Sequence, residues 1–196
     1  MYKRQDLLYS KGFDIVRIHP IDHGDSEHLN KDFFRATDIQ ALIEVVKYLG
    51  QKFSDNEIHL IGFSLGGNIS LRISASPEIN FLKKTIVLSP VINPENSMNA
   101  MDKNSWILRK YFIDKWKKTI RRKIDLYNIN AKEALKHKNI KSLTEYFTEN
   151  FTPHSHVRDL FSAYAVTQEA LNNINHDTFI YSAYDDPCVP IEPLLE

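Results

Sequence analysis

The stretch EIHLIGFSLGGNIS, residues 57–70, decides the fold. Ile58, Leu60 and Ile61 read as a strand, and Gly62-Phe63-Ser64-Leu65-Gly66 completes a G-x-S-x-G pattern ahead of a helical run. A serine nucleophile needs that context. A strand that turns abruptly into a helix holds the serine in strained dihedrals and exposes its hydroxyl. Gly62 and Gly66 lack the β-carbons that would clash at such a turn. A helix starting directly after the serine sets the amide of Leu65 where an oxyanion forms.

The neighbouring segments alternate. QDLLYSKG reads as the end of a helix stopped by Gly12, and FDIVRIHP, residues 13–20, as a short strand ended by Pro20. A polar loop leads to DIQALIEVVKYLG, where Ile39, Leu42, Ile43, Val46 and Leu49 recur at helical spacing and Gly50 closes the helix. GGNISLRISAS is the helix after the serine. TIVLSP is a further strand, whose unbroken apolar run suits a parallel strand covered on both faces. Beyond Pro94 the character changes: 105–125, 130–138, 142–150 and 157–173 read as helices with no strand between them. DTFIYSAY then restores a strand, followed by the turn DDPCVP. The expected organisation is an α/β core over 1–92, a helical lid over 93–175, and a return to the core over 176–196.

Composition narrows the function classes. Of 196 residues, 42% are hydrophobic and 26% charged, as in ordinary globular proteins, and 25 basic residues balance 25 acidic ones. The chain as a whole therefore has no electrostatic call on nucleic acid or membrane. Residues 101–141 hold 13 Lys/Arg against 4 Asp/Glu, with Trp106, Tyr111, Phe112 and Trp116 interleaved. Such a segment reads as a solvated helix face with buried aromatics, or as a cationic lid favouring anionic substrates. No apolar run approaches the roughly 20 residues of a membrane span. The single cysteine, Cys188, excludes an internal disulfide, and the polar start MYKRQDLLYSKG is unlike a signal peptide. The expected setting is the cytoplasm.

These motifs together resemble the α/β-hydrolase superfamily. GFSLGGN is similar to its nucleophile elbow, HPIDHGDSEHLN to the loop after its fourth strand, and YSAYDDPCVP to the turn carrying its triad acid. Serine first and acid later is the order of that fold. SLGGN, the SP after the next strand, the RKYF…KWKK lid and DDP resemble most the YheT-like esterases, related to the embryogenesis-associated and ABHD-type hydrolases. The resemblance implies Ser64 as nucleophile, Leu65 as an oxyanion donor, and Asp186 as the acid, four residues before Pro190, with Asp185 the alternative. It implies ester or acylglycerol substrates and no metal or organic cofactor. Oligomeric state is left open.

A base is missing from this expectation. An activated serine needs a histidine to take its proton, and in this fold it follows the acid. All eight histidines precede Asp186, and the chain runs only ten residues past it. The family's third strand and its His-Gly oxyanion loop have no counterpart either; His23-Gly24 follows the wrong strand. FDIVRI and IHLIGF are thus expected to lack a common partner, leaving backbone groups unpaired at about 1–3 kcal/mol each. The expected fold is an α/β-hydrolase incomplete at both ends, inactive or impaired alone, with a degenerate binding module as the alternative. His154 and His156 form an H-x-H pair that reads as solvated or core-satisfied. His19, Asp22 and His23 resemble part of a metallo-β-lactamase-like metal motif, but Ile21 stands where its second histidine belongs, so metal binding is not expected.

Overall fold

The computed structural model of the protein describes residues 2–103 and 106–195. Its centre is a parallel sheet of three strands in the order β1 (Ile58–Phe63), β2 (Leu82–Leu88), β3 (Asp177–Tyr181). The register sets Leu60 beside Thr85 and Thr178, and Gly62 beside Val87 and Ile180. Those rows face helix α3 (Leu65–Ser74), which packs Ile69 and Ile73 with α2 (Gln40–Lys52) and Leu71 over Val87. Burial of these side chains, each contributing about 1.5–3 kcal/mol, holds the elbow helix flat against the sheet.

The other face is open. Its rows join Ile61, Ile86 and Phe179, then Phe63, Leu88 and Tyr181, and Ile61, Phe63, Phe179 and Tyr181 are all exposed. The coverage expected on both faces of the β2 strand is therefore found on one. The strand expected over 13–20 also differs: those residues carry no sheet pairing, although Ile18 packs against the same buried cluster as Ile58 and Leu60. Strand propensity is local, but a strand exists only through its ladder, and among the described residues β1 pairs with β2 alone.

Helix α1 (Tyr2–Ser10) ends as expected at Gly12, whose φ of +89° lets the amide of Phe13 reach back to the Leu8 carbonyl. Gly50 does not close α2, which runs on to Lys52; a β-carbon there would lie 2.5 Å from the Phe81 ring, so glycine makes room for packing instead.

Between β2 and β3 the chain is helical: α4 (Pro94–Lys103), α5 (Trp106–Tyr127), a 3-10 turn (Lys132–Lys136), α6 (Ile140–Phe151), α7 (Val157–Tyr164) and α8 (Gln168–Asn172). The reading of 157–173 as one helix gives way to two, because the amide of Val166 leaves the helix to bond the Ile92 carbonyl. Helix α4 was not expected; Pro94 opens it, and the Asn93 side chain accepts from the amide of Asn96. These helices build their own core, with Ile120, Leu143 and Phe147 closing over Phe33 from the polar loop. The Phe33 and Phe147 rings meet edge to face at 4.9 Å.

Candidate functional site

Ser64 occupies the turn between β1 and α3 with φ 52° and ψ −120°, outside the regions that non-glycine residues favour. The turn is over-determined by its bonds. The Ser64 amide donates to the Leu88 carbonyl at 2.9 Å, and the Ser64 carbonyl accepts from Gly67, Asn68 and Val91. A backbone so fixed can hold a strain of about 1–3 kcal/mol. The side chain stands exposed. The first amides of a helix have no acceptor within it, so the N–H groups of Leu65 and Gly66 remain to meet an anion beside Ser64.

The glycines divide the work differently from the sequence expectation. A β-carbon on Gly62 would fall 2.4 Å from the Gly66 carbonyl oxygen and 2.4 Å from Ser70 Oγ. On Gly66 it would meet nothing within 4 Å. Gly66 is thus not held by a clash. Gly67 is the second constrained position, with Pro90 Cβ 2.9 Å from where its β-carbon would stand.

Asn68 was missed by sequence reasoning. It is fully buried one turn into α3, and its amide donates to the carbonyls of Val91 at 2.8 Å and Tyr164 at 2.7 Å. Arg72, one turn further, donates to Ala36 at 2.6 Å and Thr37 at 3.2 Å. The elbow helix is thereby tied to α7 and to the polar loop. Burial lowers the Arg72 pKa and raises that of Tyr164, against the opposing pull that each exerts on the other. The only sequence signal for Asn68 was a polar residue at helical spacing from Ser64.

Asp186 lies past β3, on the same carboxyl edge of the sheet as Ser64, where open α/β sheets bind ligands. Its Oδ1 accepts from the amides of Cys188 at 2.9 Å and Val189 at 3.0 Å. Burial pushes its pKa up, but the Ser89 hydroxyl and those two amides outweigh burial and hold it below the usual carboxylate value. Ser89 itself sits at φ 43°, its amide bonded to the Tyr181 carbonyl at 2.7 Å. Asp185 is exposed, and no hydrogen bond among the described residues engages its carboxylate.

A depressed carboxyl pKa contributes stability above the unfolded value, near pH 4, and loses it as pH falls through the folded value. Asp186→Asn should therefore lower the urea midpoint at neutral pH, with the wild-type advantage vanishing on acidification below about pH 4. A difference that persists unchanged in acid overturns the assignment of that stability to the ionised Asp186.

Several histidines have partners away from Ser64. His176 Nε2 meets Thr85 Oγ1 at 2.8 Å, toward the opposite end of the sheet, and burial lowers its pKa despite Asp177. His19 Nε2 accepts from Arg17, and His23 packs edge-on against Phe34. His156 takes the N-cap position of α7 with no side-chain cap hydrogen bond, and His154 lies two residues before it. Among the described residues no imidazole is hydrogen-bonded to Ser64 Oγ. Asp22 is committed to Lys123 at 2.6 Å and to the amide of Phe34. Two surface hollows, one lined by Gln5, Asp6, Tyr9 and Asp14 among others and one by Lys31 to Phe33 with Ile129, do not include Ser64.

The description alpha/beta hydrolase fold belongs to the family whose model matches residues 2–195. A solved serine hydrolase from the polyaromatic hydrocarbon-degrading bacterium Cycloclasticus zankles is similar, with a TM-score of 0.52 and 18% identity over 89% of this chain and 63% of that one. A variant of the meta-cleavage product hydrolase CumD is similar at a TM-score of 0.51 and 13% identity, over 90% of this chain and 64% of that one. The chain thus spans less than two thirds of either structure's length. No curated protein matches it.

Proposed function

The chain belongs to the alpha/beta hydrolase fold family, and from that premise we propose a serine hydrolase of carboxylic esters with Ser64 as the nucleophile. The observation that carries the reading is Ser64 at positive φ on the turn from β1 into α3, its hydroxyl exposed beside the free amide of Leu65. Ser64 Oγ attacks the ester carbonyl, the Leu65 amide donates to the oxyanion, the alcohol leaves, and water releases the acid from the acyl-enzyme. Asp186 is the acid that would orient a base imidazole, which the described residues do not bring to Ser64; its bonded carboxylate supports that role. Substrates are short- to medium-chain esters or acylglycerols held under the helices between β2 and β3, in the manner of the YheT-like branch. The working compartment is the cytoplasm.

Because no imidazole among the described residues is hydrogen-bonded to Ser64 Oγ, these residues alone turn over ester at a negligible rate. A fluorophosphonate probe should label the chain slowly, faster with added imidazole, and not at all in Ser64→Ala. Removing a general base typically costs about 10²- to 10⁴-fold, which sets the scale of the imidazole effect. Labelling that survives Ser64→Ala overturns the nucleophile. Fast labelling without imidazole, lost in Ser64→Ala, keeps the nucleophile and overturns the missing base. That missing contact also favours a second reading, a binding module that holds an acyl group uncleaved. Its mark is thermal stabilisation by an ester with no product formed.

A further inference from the structure

Helix α5 leaves on its outer side what globular helices usually bury. Trp106 is 65% exposed, Ile107 61% and Tyr111 55%, and Phe112 is exposed beside them. The helix is not short of a core-facing side, since Ile113, Ile120 and Lys123 are buried on its inner face. The apolar group fills the first two turns, a length of about 9 Å. The next turns present Lys115, Lys118 and Arg121 at three-residue spacing, all exposed. The acid among them, Asp114, is neutralised by Lys110 at 2.5 Å.

Charge over the whole chain points the same way. With 13 of the 25 basic residues and 4 of the 25 acidic ones in 101–141, the remainder keeps an acidic excess of 21 against 12. The segment carrying α5 is therefore the basic part of an otherwise acidic chain, and an anionic surface attracts it.

We propose that the outer face of α5 docks on an anionic lipid bilayer, its first two turns entering the headgroup layer and its later cations meeting the lipid phosphates. Tryptophan and tyrosine favour that layer because the ring is apolar and the N–H or O–H stays wet. Lysines and an arginine beside such a group are the pattern of helices that lie on membranes. Single-stranded nucleic acid would use the cations and stack on Trp106, but it offers nothing for Ile107, a branched aliphatic side chain at the centre of the patch. No described helix is long and apolar enough to cross a membrane, so the contact is with the surface. The docking face stands on α5 alone and holds whether or not Ser64 is a nucleophile.

The test uses the whole chain carrying Trp116→Phe, so that Trp106 is the one remaining tryptophan. It is mixed with vesicles of phosphatidylcholine, alone or with about one third phosphatidylserine. Sedimentation should show partition onto the anionic vesicles, weakened by salt, with a blue shift of Trp106 emission. Each basic residue near such a surface contributes about fivefold, so replacing Lys115, Lys118 and Arg121 by glutamate should lower partition by about a hundredfold or more. Trp106→Ala with Ile107→Ala should lower it on both vesicle types while leaving the salt dependence intact. These side chains point to solvent, and an unchanged circular dichroism spectrum certifies each variant's fold. Lack of partition overturns the proposal, as does partition with unshifted Trp106 emission or partition indifferent to both variants. Displacement from vesicles by oligouridylate, with tighter binding to it, assigns the face to nucleic acid and overturns the lipid.

Discussion

Replacing Lys123 by methionine should destabilise the protein by about 3–5 kcal/mol, read as a lowered urea midpoint. Lys123 is fully buried in α5, a burial almost never seen for lysine unless it is paired. Its ammonium meets Asp22 at 2.6 Å, donates to the carbonyl and side-chain oxygens of Asn30 at 3.1 and 3.3 Å and to the Asp32 carbonyl, and stands 5.4 Å over the Phe33 ring. Methionine fills the stem's volume, so the loss comes from charge rather than from a cavity. The Asp22 carboxylate keeps the amide of Phe34 but loses the cation that made its burial tolerable. The loop it belongs to is held in demanding geometry, with Asp22 at φ 65° and Asp25 at φ 63°, and Arg122 adds a second tie to Glu27 at 3.1 Å. Adding Asp22→Asn to Lys123→Met should recover part of the loss, because the uncompensated charge is then gone. A single variant costing under about 1 kcal/mol, the range of surface pairs, would show that the clamp carries no weight.

That clamp was invisible in the sequence, and the reason is physical. Lys123 lay in a run of cations whose ordinary fate is solvent, and Asp22 in a polar loop; only the packing of α5 over that loop brings them together. The same holds for Asn68, whose partners Val91 and Tyr164 belong to distant segments. What was legible is what short-range chemistry fixes. The G-x-S-x-G turn could be read because its strain and its amides lie within a few residues of one another. Helix α2 could be read from its apolar period. The stretch 13–20 shows the limit, since its residues suit a strand and yet no ladder forms. Helix α4 shows the converse: few apolar residues announce it, but a proline and an asparagine cap start it. Asp186 was legible as the candidate acid, with Asp185 the alternative, from its spacing to Pro190; the two backbone amides that bond Asp186 are presented only by the folded turn.

Gly62→Ala and Gly66→Ala should separate by several kcal/mol although both change a glycine of one motif. At Gly62 the new carbon would stand 2.4 Å from a backbone oxygen, that of Gly66, and 2.4 Å from Ser70 Oγ. The serine hydroxyl can rotate, but the carbonyl belongs to the first turn of α3 and cannot yield without moving Ser64. Overpacking of a tight site costs about 1–3 kcal/mol, and contact with fixed backbone puts Gly62→Ala at or above the top of that range. Gly66 meets nothing within 4 Å and lies inside a helix. There alanine is preferred to glycine by up to about 1 kcal/mol, so Gly66→Ala should be neutral or mildly stabilising. Thermal unfolding of the two variants decides it. Equal losses would mean that Gly66 is needed for its backbone freedom at the turn. The expected split instead assigns the close approach of strand and helix to Gly62 and Gly67, and leaves Gly66 as the open position of the turn.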